Sequence, residues 1–383
     1  VNALRSACGA LIIGGFSGTS LPASFARALA AEERGGAILF GRNLRGRSGE
    51  EMLRGVEELV RAIAEAARDA APPLVGIDQE GGRVARLGPP ALVVPPMRRL
   101  AALSLPEVQT VARAQGRELA ALGITMNFAP VLDVDSNPAN PVIGDRAFGS
   151  DPAAVAALGL AYAAGLREGG VVPCGKHFPG HGDTALDSHL ALPRVAAERA
   201  RLDRVELAPF AASARATAGH AALEAWMTAH VVFDALDPAQ PATLSKAVLT
   251  DLARGELGFE GALISDDLEM RAVSERASPG ELAVATIAAG CDVILVCSRE
   301  EAQDEAFVAL VRAAESSTTF RARVQEAAGR SAALRATRRW PVSGEERARV
   351  FAQSDDARRI LERLQDRPAG SVAGFDPTEQ GRT

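Results

Sequence analysis

The chain has 383 residues, 47% of them hydrophobic, which is ample for one large barrel or two ordinary domains. Its 42 basic and 48 acidic residues leave a formal charge of -6, which argues against nucleic acid or an anionic membrane surface as a partner. The few basic clusters read as helix faces rather than a phosphate-tracking stripe, and no apolar run is long enough to span a bilayer.

The opening, "VNALRSACGALIIGGF", carries a short apolar run that continues at once into a fold element. It is read as part of the fold and not as a signal peptide, so a cytoplasmic protein is expected. Eight β-rich runs then alternate with helix-like segments: "ALIIG" (10–14), "AILF" (37–40), "LVGID" (74–78), "MNFAPVLD" (126–133), "VVPCGKH" (171–177), "AWMTAHV" (225–231), "GALISDD" (261–267) and "CDVILVC" (291–297). Several lack polar alternation, as expected when helices cover one face and a packed interior the other. The intervening segments carry helix punctuation. "SLPEVQTVARAQGRELAALG" places Ser104 and Glu107 at capping-box spacing with Pro106 in the first turn. "SDPAAVAALGLAYAAGLREGG" starts in the same way and stops at Gly169 and Gly170.

Eight strands with helices between them spell an α/β fold, a (β/α)8 TIM-type barrel, with a doubly wound sheet as the structural rival. A single barrel domain is expected over 1–319, a C-terminal helical extension over 320–366 and a loose tail over 367–383. The four cysteines, Cys8, Cys174, Cys291 and Cys297, are far apart and set among apolar neighbours. They read as buried free thiols.

Polar residues cluster where the strand-like runs end, which in a barrel is one shared mouth. In "GIDQEGGRVARL", Asp78 ends a run, Gly81 and Gly82 permit a tight turn, and Arg83 and Arg86 follow. "MNFAPVLDVDSNPANPVIGDRAF" adds Asp133, Asp135, Asp145 and Arg146. Acids and arginines at several strand ends suit a hydroxyl-rich, partly anionic small molecule, since carboxylates grip paired hydroxyls and arginine forks onto oxygens. Asp133, Asp135 and Arg83 are expected to be largely scaffold, and Asp145 is left open.

"KHFPGHGDTALDSHLALP" holds Lys176, His177, His181 and His189, with Asp187 two residues before His189. The histidine spacing matches no zinc signature, so hydrogen bonding is favoured over a metal cage. Gly180 and Gly182 mark a turn or a close backbone approach. Lys176 and His177, at a run's end, offer donors for sugar hydroxyls or a carbonyl. Asp187 in an extended loop could fix the tautomer of His189 and raise its basicity, leaving a group able to give and recover a proton near neutrality; a surface pair reads equally well. His230 in "MTAHV" is placed in the pocket wall or just behind it, as is His181. In "GALISDDLEM", Asp266 is either a helix-capping acid or a nucleophile held at the mouth, and Asp267 is expected to turn away and cap the next helix.

These pieces, in order over most of residues 10–297, resemble family 3 glycoside hydrolases, in particular the bacterial cytoplasmic β-N-acetylglucosaminidases of peptidoglycan recycling. The resemblance implies a retaining exo-glycosidase that acts on an amino-sugar glycoside as a monomer, without cofactor or metal. It implies Asp266 as nucleophile, His189 as general acid/base and Asp187 as its partner. Asp78, Arg86, Arg146, Lys176 and His177 would bind the sugar. The extension beyond about 320 receives no role, and the second domain of many relatives is not recognisable. Phosphorolysis, attack by the 2-acetamido oxygen, and a non-catalytic sugar-binding barrel stand as alternatives.

Overall fold

The computed structural model describes residues 3–186, 188, 192–216, 223–336 and 339–365. Parallel strands close into a barrel: β1 (Ile12–Gly14), β2 (Gly36–Leu39), β3 (Leu74–Ile77), β4 (Met126–Asn127), β5 (Val172–Phe178), β6 (Ala225–Thr228), β7 (Ala262–Asp267) and β8 (Val293–Val296). They neighbour one another in chain order, and β8 returns to β1 with Ile12 opposite Ile294 and Gly14 opposite Val296. Closure excludes the doubly wound sheet.

Period-two alternation decides which side chains fill the barrel. Ile13, Ile38, Leu74, Ala225, Met227, Ala262, Ile264, Val293 and Leu295 form one buried cluster. Their chain neighbours Ile12, Trp226, Leu263, Ile294 and Val296 belong to another, which also holds buried residues of the helices Pro279–Ala289, Glu300–Ser316 and Thr318–Leu334. Both strand faces are therefore apolar, which is why these runs show no hydrophobic–polar alternation.

The fourth run is shorter as a strand than its sequence suggests. Regular pairing ends at Asn127, and only an isolated bridge joins Val131 to Lys176. Pro130 has no N–H to donate, so the chain here contributes carbonyls, Ala129 to the N–H of Cys174 and Pro130 to that of Lys176. The helix punctuation is observed. Glu107 accepts from the main-chain N–H and the hydroxyl of Ser104 at the start of Leu105–Ala121. Asp151, rather than the serine before it, caps Pro152–Glu168 by accepting from the N–H of Ala153. All four cysteines are buried and free.

A small three-stranded sheet, Arg194–Val195, Val232–Phe233 and Asp237–Pro241, lies beyond the ends of β5 and β6. At the other end of the sequence, helix Thr318–Leu334 crosses the boundary expected at 320. Ser331 donates to the carbonyl of Ala10, and Leu334 joins the barrel-interior cluster. Helices Gly344–Ala352 and Asp355–Gln365 lie against the barrel's helical layer: Phe351 joins the buried cluster that holds Val56 and Leu59, and Ile360 and Leu361 join the one that holds Val108 and Val111. The expected tail over 367–383 lies outside the described residues. No helix among the described residues is long and apolar enough to cross a membrane.

Candidate active site

The C-terminal ends of β3, β5 and β7 and the loops after them enclose a cavity of about 500 Å³ of empty volume, counting the part open to solvent. Asp78, Arg146, Lys176, His177, His181, Ser188, Asp266 and Asp267 line it. Its floor is the upper layer of the barrel interior, with Ile38, Phe40, Met227, Leu295 and Cys297 in both the cavity wall and the buried cluster. Polar groups thus surround an apolar base, a common form for a small-molecule site.

The loop after β3 is held by its own side chains. Gln79 receives an N–H from Arg86 at 2.7 Å and from Leu87 at 3.0 Å, while its main-chain N–H donates to Asn127. Gly81 and Gly82 have φ of 128° and 57°, in the left-handed region, and a Cβ on Gly81 would lie 2.6 Å from the carbonyl oxygen of Pro95. With Gln79 turned to the loop, the carboxylates on either side of it, Asp78 and Glu80, both reach Lys176. Their distances to Lys176 Nζ are 2.9 and 2.6 Å. Arg146 forks onto Glu80 through Nε at 2.9 Å and Nη2 at 2.8 Å.

This cluster is buried but charged. Burial alone would raise the carboxyl pKa of Asp78, yet Lys176 and Arg86 outweigh it and hold the group below the ordinary range. The same contest, decided by Arg146 and Lys176, leaves Glu80 strongly acidic. Burial would pull Lys176 down, and Asp78 and Glu80 more than reverse it.

At the end of β5, Asp133 organises both buried histidines. Its Oδ2 accepts from His177 Nδ1 at 2.6 Å, and its Oδ1 accepts the main-chain N–H of His177 at 3.1 Å and of His181 at 2.6 Å. His181 lies 2.9 Å from Thr184 Oγ1 through Nδ1 and 3.0 Å from Ser188 Oγ through Nε2. Burial, then the charge of His177 beside it, push its pKa down to about 4. On β7, Asp266 is half-buried and its Oδ1 accepts the N–H of Asp267 at 2.8 Å. Asp267 is buried, and its Oδ1 accepts from Glu269 and from Cys297 at 3.1 Å each. Contrary to expectation it neither turns away nor caps the next helix, whose N-cap is Met270: it closes the turn at Glu269, lines the cavity and ties β7 to the end of β8. His230 Nε2 donates to the Asp267 carbonyl at 2.9 Å, so this histidine supports the strand end from behind.

The structure therefore brings Asp78, Arg146, Lys176, His177, His181 and Asp266 to one cavity. Arg86 and His230 are buried beside it and are not among its lining residues; Arg86 Nη2 lies 3.4 Å from Asp78 Oδ2. Asp187 and His189 lie outside the described residues. Asp133 has the supporting role expected of it. Arg83 donates to the carbonyls of Val142 and Ile143 and lies 3.5 Å from Asp145, while Asp135 accepts from Arg98 at 2.6 Å. Glu80 was not singled out in the sequence, although in extended chain it shares a face with Asp78 two residues earlier. Among the described residues, no group of at least 3 His, Cys, Asp or Glu side chains is placed to hold a metal ion.

A parallel barrel that holds a half-buried carboxylate and a charged donor–acceptor cluster at the C-terminal end of its strands has the plan of a TIM-barrel enzyme acting on a small polar molecule. The family follows from sequence: the model described as "Glycosyl hydrolase family 3 N terminal domain" matches residues 18–334, and the chain belongs to that family. A relative named "Beta-hexosaminidase" from Alkalilimnicola ehrlichii is 40% identical over 295 residues, covering 75% of this chain and 80% of its own length. Among solved structures, a family 3 β-N-acetylglucosaminidase from Paenibacillus sp. is 39% identical with a TM-score of 0.80; the match covers 98% of this chain and 66% of that one. Native NagZ from Neisseria gonorrhoeae is 30% identical with a TM-score of 0.76, covering 93% of this chain and 98% of that one.

Proposed function

We propose that the chain is a retaining exo-β-N-acetylglucosaminidase that releases terminal β-linked GlcNAc. The observation that carries this reading is the placement of Asp266 in the same cavity as Asp78, Lys176, His177 and Arg146. One half-buried carboxylate faces a set of donors and acceptors suited to sugar hydroxyls. The names of the relatives agree with a hexosaminidase.

In the first step Asp266 attacks the anomeric carbon and the glycosidic bond breaks, while protonated His189 gives its proton to the leaving oxygen. In the second, neutral His189 takes a proton from water, the water oxygen attacks the same carbon, and the bond to Asp266 breaks. Two inversions leave the configuration retained. Asp187 stays ionised and supports the imidazolium. Lys176, Arg146, Asp78 and His177 bind the sugar, and helices beyond 320 take no part in substrate contact. The natural substrate is GlcNAc-1,6-anhydro-MurNAc, with or without its peptide, handled in the cytoplasm by a monomer during peptidoglycan recycling, with no cofactor or metal.

The test is product analysis with that disaccharide and with an aryl β-GlcNAc, in the presence and absence of phosphate. Free GlcNAc should be the product, with aryl β-glucoside a much poorer substrate. GlcNAc-1-phosphate as the main product would make the enzyme a phosphorylase. A 5-fluoro-GlcNAc donor should label the peptide that contains Asp266, and Asp266→Ala should abolish the label; transfer of the label to Asp267 would overturn the assignment.

A further inference from the structure

Glu80 lies outside the chemistry proposed above and is not among the cavity's lining residues, yet it touches two side chains that are. Its side chain is 1% exposed. Its main chain is fixed independently of those contacts: the N–H donates to the carbonyl of Val84 at 3.0 Å, and the Tyr162 hydroxyl donates to its carbonyl at 3.1 Å. A carboxylate held this rigidly defines where its partners sit.

Those partners are both cationic. Oε1 is shared between Lys176 Nζ and Arg146 Nη2, and Oε2 takes Arg146 Nε. The surrounding charges are Asp78 on the same loop, Arg86 against Asp78, Cys174 one turn of the pleat before Lys176, and Asp266 across on β7. Of the ion pairs that hold the two cations, Asp78 reaches Lys176 and Glu80 reaches both. Without Glu80, Lys176 would lose the nearer of its two carboxylates and Arg146 the fork on its Nε and Nη2, and a buried ammonium with less counter-charge gives up its proton more readily.

We propose that Glu80 is a positioning residue, the shared counter-ion that keeps Lys176 charged and holds Lys176 and Arg146 aimed at the bound sugar. This rests on the reading of the cavity as a sugar pocket. Because Lys176 and Arg146 would hold the glycone alike in ground and transition states, loss of Glu80 acts on KM and leaves kcat nearly unchanged.

The experiment compares the wild type with Glu80→Gln and Glu80→Asp, using 4-nitrophenyl β-GlcNAc for turnover and calorimetry for binding of free GlcNAc. Glu80→Gln should raise KM and weaken GlcNAc binding by roughly 10–100-fold, the range for a lost hydrogen bond to a charged group. Glu80→Asp, which keeps the charge and shortens its reach, should fall between it and the wild type. In Glu80→Gln, kcat/KM should also decline with rising pH earlier than in the wild type, as Lys176 loses its proton. The effect of Glu80→Gln should shrink in a Lys176→Met background. A purely structural residue would lower activity in proportion to lost folded protein, with the pH profile unmoved, and that result overturns the proposal; so does an unchanged KM. If Glu80→Gln does not fold, the KM and GlcNAc affinity of Glu80→Asp decide in the same way. A wild type that neither binds nor cleaves the GlcNAc compounds refutes the sugar-pocket reading itself, whereas an active wild type with unaffected variants refutes only the role of Glu80.

Discussion

Asp133 Oδ2 and His177 Nδ1 stand 2.6 Å apart in full burial of the carboxylate, joining the chain beyond β4 to the end of β5. A carboxylate only accepts, so Nδ1 carries the proton and the tautomer of His177 is set from behind the cavity. The same carboxylate fixes the backbone of His177 and His181. One side chain thus aligns two histidines of the cavity wall.

Asp133→Asn should break this arrangement while keeping its shape. The amide has one acceptor oxygen where the carboxylate had two, so all three N–H donors lose a charged partner and at least one of them loses its acceptor. Stability should fall by about 1.5–3 kcal/mol, the worth of a hydrogen bond to a charged group, read from urea unfolding. KM for an aryl β-GlcNAc should rise in the folded variant as His177 loses its orientation. A variant with wild-type stability and KM would show that the pairing is idle.

The depressed pKa of His181 fixes the sign of a pH effect. Its folded value is pushed down to about 4 from the 6.5 ordinary for an imidazole, so between these the unfolded chain binds a proton that the native protein does not. Stability is then full above the unfolded value and is lost as pH falls through this window. Asp78, Glu80 and Asp133, all held below ordinary carboxyl values, add their losses at still lower pH. The urea midpoint should fall from neutral to mildly acid pH, and His181→Asn should flatten that slope even if it lowers stability overall. An equally steep slope in the variant would assign the effect to other groups.

The barrel was legible because several strand runs carry both faces as apolar residues and several end in a polar one, a pattern that needs only local sequence. Asp78, Lys176, His177 and Asp266 were legible for the same reason, as charges where burial begins. Glu80 was not, because its partners, Lys176 and Arg146, lie 96 and 66 residues away and a lone glutamate after a strand usually reads as solvated. Arg86 shows the converse. The resemblance implies that it binds sugar, but only the fold shows that it lies 3.4 Å from Asp78, the carboxylate that Lys176 also reaches. The placement of the last helices was equally hidden, since an amphipathic segment shows that a face is buried and not what buries it.

Those helices should support the barrel without affecting its chemistry. Arg347 pairs with Glu50 and Glu57, Ser354 donates to Glu118 at 2.6 Å, and Ile360 joins the buried cluster that holds Val108 and Val111. Ile360→Ala should cost about 2 kcal/mol or somewhat more, as deletion of a buried aliphatic side chain does. The melting temperature should drop while kcat/KM per folded molecule stays at the wild-type value. A selective loss of kcat/KM would mean that the extension reaches the site.

Ser188 offers the sharpest probe of the acid/base assignment. It lies between Asp187 and His189 in sequence, is buried, lines the cavity, and sits with its hydroxyl 3.0 Å from His181 Nε2. His181 is itself fixed by Asp133 at its backbone N–H and by Thr184 at Nδ1, and Asn140 donates to the carbonyls of His181 and Gly182. The chain between the proposed dyad residues is therefore tied to a rigid base. Ser188→Ala removes the tie and leaves Asp187 and His189 in place chemically. If they are the acid/base pair, proton delivery to the leaving oxygen should suffer while Asp266 attacks as before. The loss in kcat/KM should then be greatest for a poor leaving group such as an alkyl β-GlcNAc, and small for dinitrophenolate, which leaves without a proton. The full deficit should stay below the roughly 10²–10⁴-fold expected of His189→Ala, because the imidazole is misplaced rather than absent. Ser188→Thr, which keeps the hydroxyl, should recover part of it. Kinetics across a series of leaving groups, with glycosylation isolated in single turnovers, measures this directly. Equal losses across the series would show that Ser188 serves only the fold, and would remove its support for proton transfer from this loop.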